Sequence, residues 1–499
     1  MEKGKKACSI ILWRGTASLR RLSTATSSAV KDKETSLYRR LSAFGCNGAQ
    51  VTDTLNEWVG EGKALRRFEV IGYVNQFRKF KKYEHGIKLL EWIEKRGRKL
   101  THGDQAIRID LLSKVEGVAS AEKYFSSLKK SGKTKETYGA LLSCYCKEKM
   151  TDKAMALFKE IERLKFASTL AYKNLMSLRM SLGEHKKVHQ IAQEMKEKSI
   201  PRDVFVYNLL MNSYASLKDI EGVERIREEM NTDGIQIDWA THANLATIYI
   251  KAGQIEKANS ALSELEKMDY RHDREAFHVL ITLYAQTSNS LAVNRVWQSL
   301  KSTFPKTINN SYLVMLRALS RLGKKDALKK CFEEWESKCL TYDVRLTNVL
   351  IEAYLNLGMI KDAELLAERI KKRGSEPDFR TLEMFMTFYL KKQQLDLAIK
   401  YVDIAASDVK AGKKEWKLSQ ETLNLFLKYF EEKKDVDGVE KFYNSLKEVN
   451  HLTTKFYDSL LRTYISACRI ESQMHKRIKD DGIEMSSETK KLLERVCPS

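Results

Sequence analysis

His185 and His189 stand four residues apart in a stretch that reads as helix, a separation that would put two imidazoles on one face for a metal ion. No HExxH pattern and no third ligand goes with them, so a solvated helix face is the better account and no metal ligand is assigned. The 8 cysteines are scattered with no CxxC pair. Cys144 and Cys146, two apart on a predicted helix, point to different sides and read as free thiols of a reducing compartment. The carboxylates are dispersed and alternate with lysine, as on a solvent-facing surface. With no phosphate loop and no nucleophile elbow, the sequence offers no catalytic set and no cofactor site. An enzyme is not expected.

What the sequence does offer is positive charge. Its 88 Lys and Arg against 66 Asp and Glu give +22, which makes a polyanion the first partner to consider. No run of 18 apolar residues is present, so no membrane span is expected.

The elements that must position these cations come from a repeat. Residues 204–238 and 239–273 are both 35 long and both end in Asp, with Tyr214 and Tyr249, then Ile220 and Ile255, in register. Self-similarity at a fixed period marks an architecture in which each unit buries its apolar face against its neighbours. Counting in both directions gives units at 67–101, 102–134, 135–168, 169–203, 204–238, 239–273, 274–308, 309–343 and 344–378. Position 20, where two helices approach, holds Gly86, Ala121, Ala154, Val188, Val223, Ala258, Val293, Leu328 and Ala363. Position 27 is apolar throughout, from Ile93 and Leu128 to Trp335 and Ile370. Position 11 is mostly Tyr, Phe or Leu, with Arg179 as the break. Only 4 prolines interrupt the chain, which permits long helical coverage. The expected fold is all-α, a right-handed α-solenoid of stacked helix-turn-helix repeats.

The ends differ. Residues 1–30 carry six basic side chains and one acidic one among many Ser and Thr, the composition of an organellar transit peptide, and +17 would remain without them. Residues 31–66 read as an N-terminal helical cap, and 67–378 as nine repeats. Residues 379–488 read as degenerate repeats, and 489–499 as a C-terminal capping helix and tail.

Several stretches resemble the pentatricopeptide repeat family: Tyr207-Asn208-Leu209-Leu210, the turn Lys251 to Ala258, Glu228-Glu229-Met230 and the closing Glu376-Pro377-Asp378. The arrangement is similar to the P class, which lacks editing or deaminase-like additions, and the likeness spans about residues 67–488. The Trp and Gly-Tyr pattern of the 34-residue tetratricopeptide repeat is missing. The resemblance implies a plant-type organellar RNA-binding protein that reads one base per repeat with two or three side chains. In the family, position 5 and the last residue face the base edge, and position 2 of adjacent repeats sandwiches the ring. Asn208 with Asp238, and Asn348 with Asp378, match a pairing associated there with uracil. Phe205 and Ala240 would flank the first base, and Arg345 and Arg380 the second.

Elsewhere the pattern breaks. Position 5 is Lys173, Ala243, His278, Leu313 and Glu383, and Ala or Leu cannot hydrogen-bond a base. There, capping of the next helix is the preferred account of the terminal Asp. Position 13 is basic at Lys79, Lys114, Lys147, Lys251, Arg321 and Lys391. The resemblance implies phosphate contact for these cations, and a cation complementing the helix macrodipole is the competing account. The expectation is a non-catalytic mitochondrial RNA-binding protein acting in RNA processing, stability or translation, with the chloroplast as the alternative compartment. Its partner would be single-stranded or structured organellar RNA. A component of the mitochondrial ribosome with little base-specific reading is the alternative, and a scaffold for other proteins comes third.

Overall fold

A computed structural model of the chain describes residues 37–42, 50–339, 341–410, 418–449 and 452–497. The expected leader over residues 1–30 lies outside these, as do residues 31–36 and 43–49 of the expected cap. The chain divides into two compact units, one up to Met268 and one from Asp269. Every regular element among the described residues is helical.

In the first unit, helices Leu37–Ser42 and Val51–Gly60 precede six hairpins. The first helices of these hairpins are Arg67–Lys79, His102–Val115, Lys135–Lys147, Thr169–Ser181, Val204–Ser216 and Trp239–Lys251. The second unit repeats the plan, with first helices Arg274–Gln286, Asn309–Arg321, Val344–Asn356, Phe379–Lys391, Gln420–Lys433 and Thr454–Ser466, and closes on helix Ser487–Val496. Each first helix from 67 to 379 begins at the residue where the sequence period begins a unit. Up to Gln420–Lys433 a first helix packs on its own second helix, Thr454–Ser466 packs on the closing helix Ser487–Val496, and from His102–Val115 onward in the first unit a first helix also packs on the next first helix.

The packing follows the stripe in the sequence. Position 20 is buried from Gly86 to Ala363, and at Gly86 the approach is close: a Cβ there would stand 3.0 Å from Leu111 Cδ1. At position 27, Ile93, Ile161, Met195, Met230, Leu265, Leu300, Trp335 and Ile370 are buried. Each such side chain contributes about 1.5–3 kcal/mol. Leu128 departs from this expectation. Its second helix, Val118–Ser127, ends one residue earlier, so Leu128 lies past the helix and is half-buried.

Position 11 does more than fill the core. The Tyr249 hydroxyl donates to Glu224 Oε1 of the preceding second helix at 2.9 Å, and Tyr389 and Tyr464 donate likewise to Glu364 and Glu440, each at 2.8 Å. Burial, reinforced by the carboxylate, pushes the Tyr249 pKa up, so the phenol stays a donor. His189 occupies the slot that Glu fills in those repeats. It stacks on Tyr214 with ring centroids 3.9 Å apart and bonds Ser213, so it is packed between repeats and not solvated as expected. Arg179, the break at position 11, turns to Glu184 across the hairpin bend with an Nη1 to Oε2 distance of 2.6 Å.

The bend between the two helices has a fixed geometry. Its fifteenth residue is left-handed in repeat after repeat, whether glycine (Gly253, φ 76°) or not (Lys218, φ 64°). A left-handed residue with a Cβ costs about 1–2 kcal/mol, against the roughly 0.5–1 kcal/mol of chain entropy that glycine gives up. Lys218→Gly should therefore stabilise the protein by roughly 0.5 kcal/mol and Gly253→Ala destabilise it by about 1 kcal/mol. Urea or thermal unfolding of the two variants measures this, and shifts of the same sign would contradict the account.

Candidate nucleic-acid interface

The last residue of a repeat starts the next first helix. Asp203, Asp238 and Asp378 accept the backbone N–H of Val206, Thr241 and Thr381 at 3.1, 2.8 and 2.9 Å. Asp273 and Asp343 accept from Glu275 and Arg345 at 2.9 and 3.1 Å. Capping is thus the geometry at each of these aspartates. It also fixes where the carboxylate stands: between position 5 of its own repeat and position 3 of the next.

Asn348 shows the arrangement closed into a ring. Its Nδ2 donates to Asp378 Oδ1 at 3.0 Å, while the Thr381 hydroxyl sits 2.7 Å from Asn348 Oδ1 and 2.9 Å from Asp378 Oδ1. Asn348 is 4% exposed. Asn208 is half-buried and is not joined to Asp238 directly: its Nδ2 donates to Thr241 Oγ1 at 2.9 Å, and Thr241 donates on to Asp238 Oδ1 at 2.7 Å. The other face of the Asn208 amide accepts from Asn244 Nδ2 at 2.9 Å. The two pairs expected to be equivalent therefore differ in exposure and in connection.

The same slot is kept where the residue type differs. Lys173 Nζ reaches Asp203 Oδ2 at 2.9 Å and lies 5.0 Å from the centroid of Phe205, at position 2 of the next repeat. His278 Nε2 is 2.9 Å from the Ser311 hydroxyl, and burial lowers its pKa, which favours the neutral ring. Glu383 accepts the backbone N–H of Ser419 at 2.8 Å. Ala243 and Leu313 are buried and offer no polar atom.

Of the flanking residues, Phe205 and Ala240 are half-buried, and Arg345 and Arg380 are exposed. Arg345 also holds Asp343 through Nε and Nη2, the latter at 2.6 Å. Arg317 was not singled out in the sequence. Partial desolvation and the nearby cations of Arg380 and Arg345 lower its pKa, so three guanidinium groups share this part of the second unit.

The basic ladder is uneven. Lys79, Lys251, Arg321 and Lys391 are exposed at or near the ends of their helices. Lys114 and Lys147 instead converge on Asp110, at 2.8 and 3.0 Å, where Arg78 joins them at 2.9 Å. Burial works to raise the Asp110 pKa, but Lys147, Lys114 and Arg78 outweigh it and hold the carboxyl well below its usual range. Asp110 is 8% exposed, so it is not one of the solvent-facing acids the sequence suggested. It sits at position 9, which is polar in unit after unit: Asn75, Asp110, Ser143, Ser177, Asn212, Thr247, Thr282, Arg317, Glu352 and Thr387. That regularity was available in the sequence and marks a polar stripe along the first helices.

Among the described residues, no helix is long and apolar enough to cross a membrane, and no group of three or more His, Cys, Asp or Glu is placed to hold a metal ion.

Stacked hairpins with a polar stripe along their first helices define a helical-repeat protein whose side chains at fixed register positions meet between neighbouring repeats. A family profile described as PPR repeat matches residues 136–166 and 346–375, and one described as pentatricopeptide repeat-containing protein matches residues 173–300. Two Arabidopsis thaliana pentatricopeptide repeat-containing proteins, both named as mitochondrial, are similar along nearly the whole chain. One is 38% identical over 94% of this chain and 88% of its own length, the other 39% identical over 93% of each. The large ribosomal subunit protein mL101 (rPPR4) of the same plant is 38% identical over 93% of this chain and 95% of its own. Maize PPR10 in crystals covers 76% of this chain and 63% of its own at 15% identity, with a TM-score of 0.40. The chain belongs to the pentatricopeptide repeat family.

The Asp110 cluster has a pH signature. Its folded pKa lies below the unfolded value of about 3.9, so its contribution is fully present above that value and is lost as pH falls below it. Asp110→Asn should cost about 2 kcal/mol at pH 7 and make the acid limb of the stability curve shallower below pH ~4. Denaturant titrations from pH 7 to pH 2.5 test both parts, and a variant with an unchanged acid limb would refute the assignment.

Proposed function

We propose that this chain is a non-catalytic RNA-binding protein of mitochondria, acting in RNA processing, stability or translation. The observation that carries this reading is the recurring slot between position 5, the terminal residue and position 3 of the next repeat, which holds a polar group at one register wherever position 5 is polar, as at Lys173, Asn208, His278, Asn348 and Glu383. RNA read one base per repeat needs that register. The compartment is that of the relatives named as mitochondrial.

Asn208 with Asp238, between Phe205 and Ala240, is the better candidate for a base edge, because Asn208 is half-buried and its hydrogen bonds run through small neighbouring side chains. At Asn348 with Asp378, between Arg345 and Arg380, a base must open a ring of hydrogen bonds around a buried amide. Lys79, Lys114, Lys147, Lys251, Arg321 and Lys391 are the candidates for phosphate contact.

A second reading has its own support. Similarity to mL101 extends along 95% of that ribosomal protein, and position 5 holds groups unsuited to base reading at Ala243 and Leu313. A mitochondrial ribosome component that holds structured RNA by charge and shape is consistent with both.

Crosslinking the protein to RNA in isolated mitochondria and sequencing the bound fragments separates the two readings. A free reader is expected to leave short footprints on one or two transcripts, with U at two places four nucleotides apart. Asn208→Ala should then lower affinity for the bound fragment by roughly 5–10-fold, more than Asn348→Ala does. Footprints confined to ribosomal RNA, with co-sedimentation on ribosomal particles, would replace the free reader with the ribosome component.

A further inference from the structure

The basic surplus is not spread evenly along the chain. Residues 67–203 hold 30 Lys and Arg against 17 Asp and Glu, a net +13. Residues 204–273 hold 7 against 12, a net −5. The repeat around Asn208 is therefore in an acidic stretch; residues 274–499 after it hold 39 Lys and Arg against 31 Asp and Glu, a net +8 over a longer span, so the densest positive charge lies in the repeats before it.

Within that basic stretch one group draws cations from three successive first helices. Arg78 lies at the end of Arg67–Lys79, Lys114 in the last turn of His102–Val115, and Lys147 at the end of Lys135–Lys147. All three meet Asp110, at 2.9, 2.8 and 3.0 Å. Their side chains are 33%, 26% and 33% exposed, while that of Asp110 is 12% exposed. The carboxylate lies beneath and the cations lie around it, each partly exposed. One carboxylate thus holds three cations from three repeats closer together than their mutual repulsion alone would allow.

We propose that Asp110 gathers Arg78, Lys114 and Lys147 into one phosphate-binding site, which grips the RNA backbone across three repeats without regard to sequence. This rests on the RNA-binding reading above and adds where and how the backbone is held. Asp110 is a positioning residue: it touches no RNA and acts by keeping the cations together. Lys79, exposed beside Arg78, extends the same basic edge. Such a site contributes affinity through counterion release, and the bases recognised further along contribute choice.

The test uses the full chain and a fluorescein-labelled 20-nucleotide U-rich RNA, titrated from 50 to 200 mM KCl. Lys114→Gln with Lys147→Gln should weaken binding roughly 25-fold near 0.1 M salt and make the log K against log[salt] slope shallower by about 1.4, the value for two lost single-strand phosphate contacts. Lys159→Gln with Lys186→Gln removes the same charge from exposed positions on second helices and should weaken binding by less than about threefold. Arginine at 114 and 147 should retain the slope. Asp110→Asn is the sharper variant, because it raises the net charge. General electrostatic attraction would make it bind tighter, whereas loss of positioning makes it bind roughly 3–10-fold weaker. Circular dichroism melts establish that each variant is folded, and the lysine pair decides the matter if Asp110→Asn is not. Equal losses in the two lysine pairs, or tighter binding by Asp110→Asn, would overturn the site while leaving RNA binding intact. A wild-type chain that binds no RNA would overturn the RNA reading and the site with it.

Discussion

The N-cap hydrogen bond found at most repeat boundaries, though not at Arg66, Thr134 or Ile308, is the interaction that does most to set the register of the first helices. A side-chain oxygen at the end of one repeat accepts a backbone N–H two or three residues on, as at Asp203, Asp238, Asp273, Asp343 and Asp378, with Ser419 and Thr453 serving the same purpose further on. Each such cap is worth about 1 kcal/mol, small beside the buried core. Its effect on geometry is larger than its energy suggests. It fixes the residue at which a first helix starts, hence which residues fall at positions 5, 9 and 11, and hence which side chains of neighbouring repeats can meet.

That constraint makes the terminal residue serve two ends. An aspartate that caps a helix is held in place, and on the proposed reading it also faces a base, but part of its accepting capacity is committed to the backbone. At Asp378 the same Oδ1 receives Thr381 N–H and Asn348 Nδ2 and stands 2.9 Å from the Thr381 hydroxyl. At Asp238 the amide of Asn208 is one hydroxyl removed. Position 3 thus governs how tightly position 5 is held. A threonine there links amide to carboxylate, while Ser311 beside His278 bonds a ring nitrogen with no carboxylate in the link. What a repeat offers a base is a property of at least three residues and not of two.

How far the sequence could show this depends on how far apart the partners lie. The helical hairpins, their starts and the small residues of position 20 were legible because a fixed period repeats one residue class, apolar or small. The turns were legible as well, though the left-handed residue is lysine, serine or glutamine as readily as glycine, as Lys218, Ser288 and Gln393 show. The stripe at position 9 is harder to read, because it keeps polarity and no single residue type. Asp110 could not be placed with its cations from the sequence. Arg78 is 32 residues before it and Lys147 is 37 after, and neither separation has meaning until the repeats are stacked. His189 misled for the same reason. Its spacing from His185 within one helix suggested a shared solvent face, whereas its environment is set by Tyr214 of the next repeat.

On the proposed RNA-binding reading, a chain with its densest positive charge in one block and its better base-edge candidate in an acidic block separates affinity from choice. Phosphate contacts act at any sequence and fall away steeply with salt, whereas hydrogen bonds to a base edge act only where the ring fits. With a net −5 over residues 204–273, RNA lying there gains little from charge and must be held from elsewhere. The preceding repeats, at +13 with three cations gathered on Asp110, can supply that hold. Association would then begin at the basic repeats, and the base at Asn208 would be sampled from an RNA already bound. On that ordering, a weak intrinsic preference at one or two repeats is sufficient, because it need only discriminate among registers of a tethered strand.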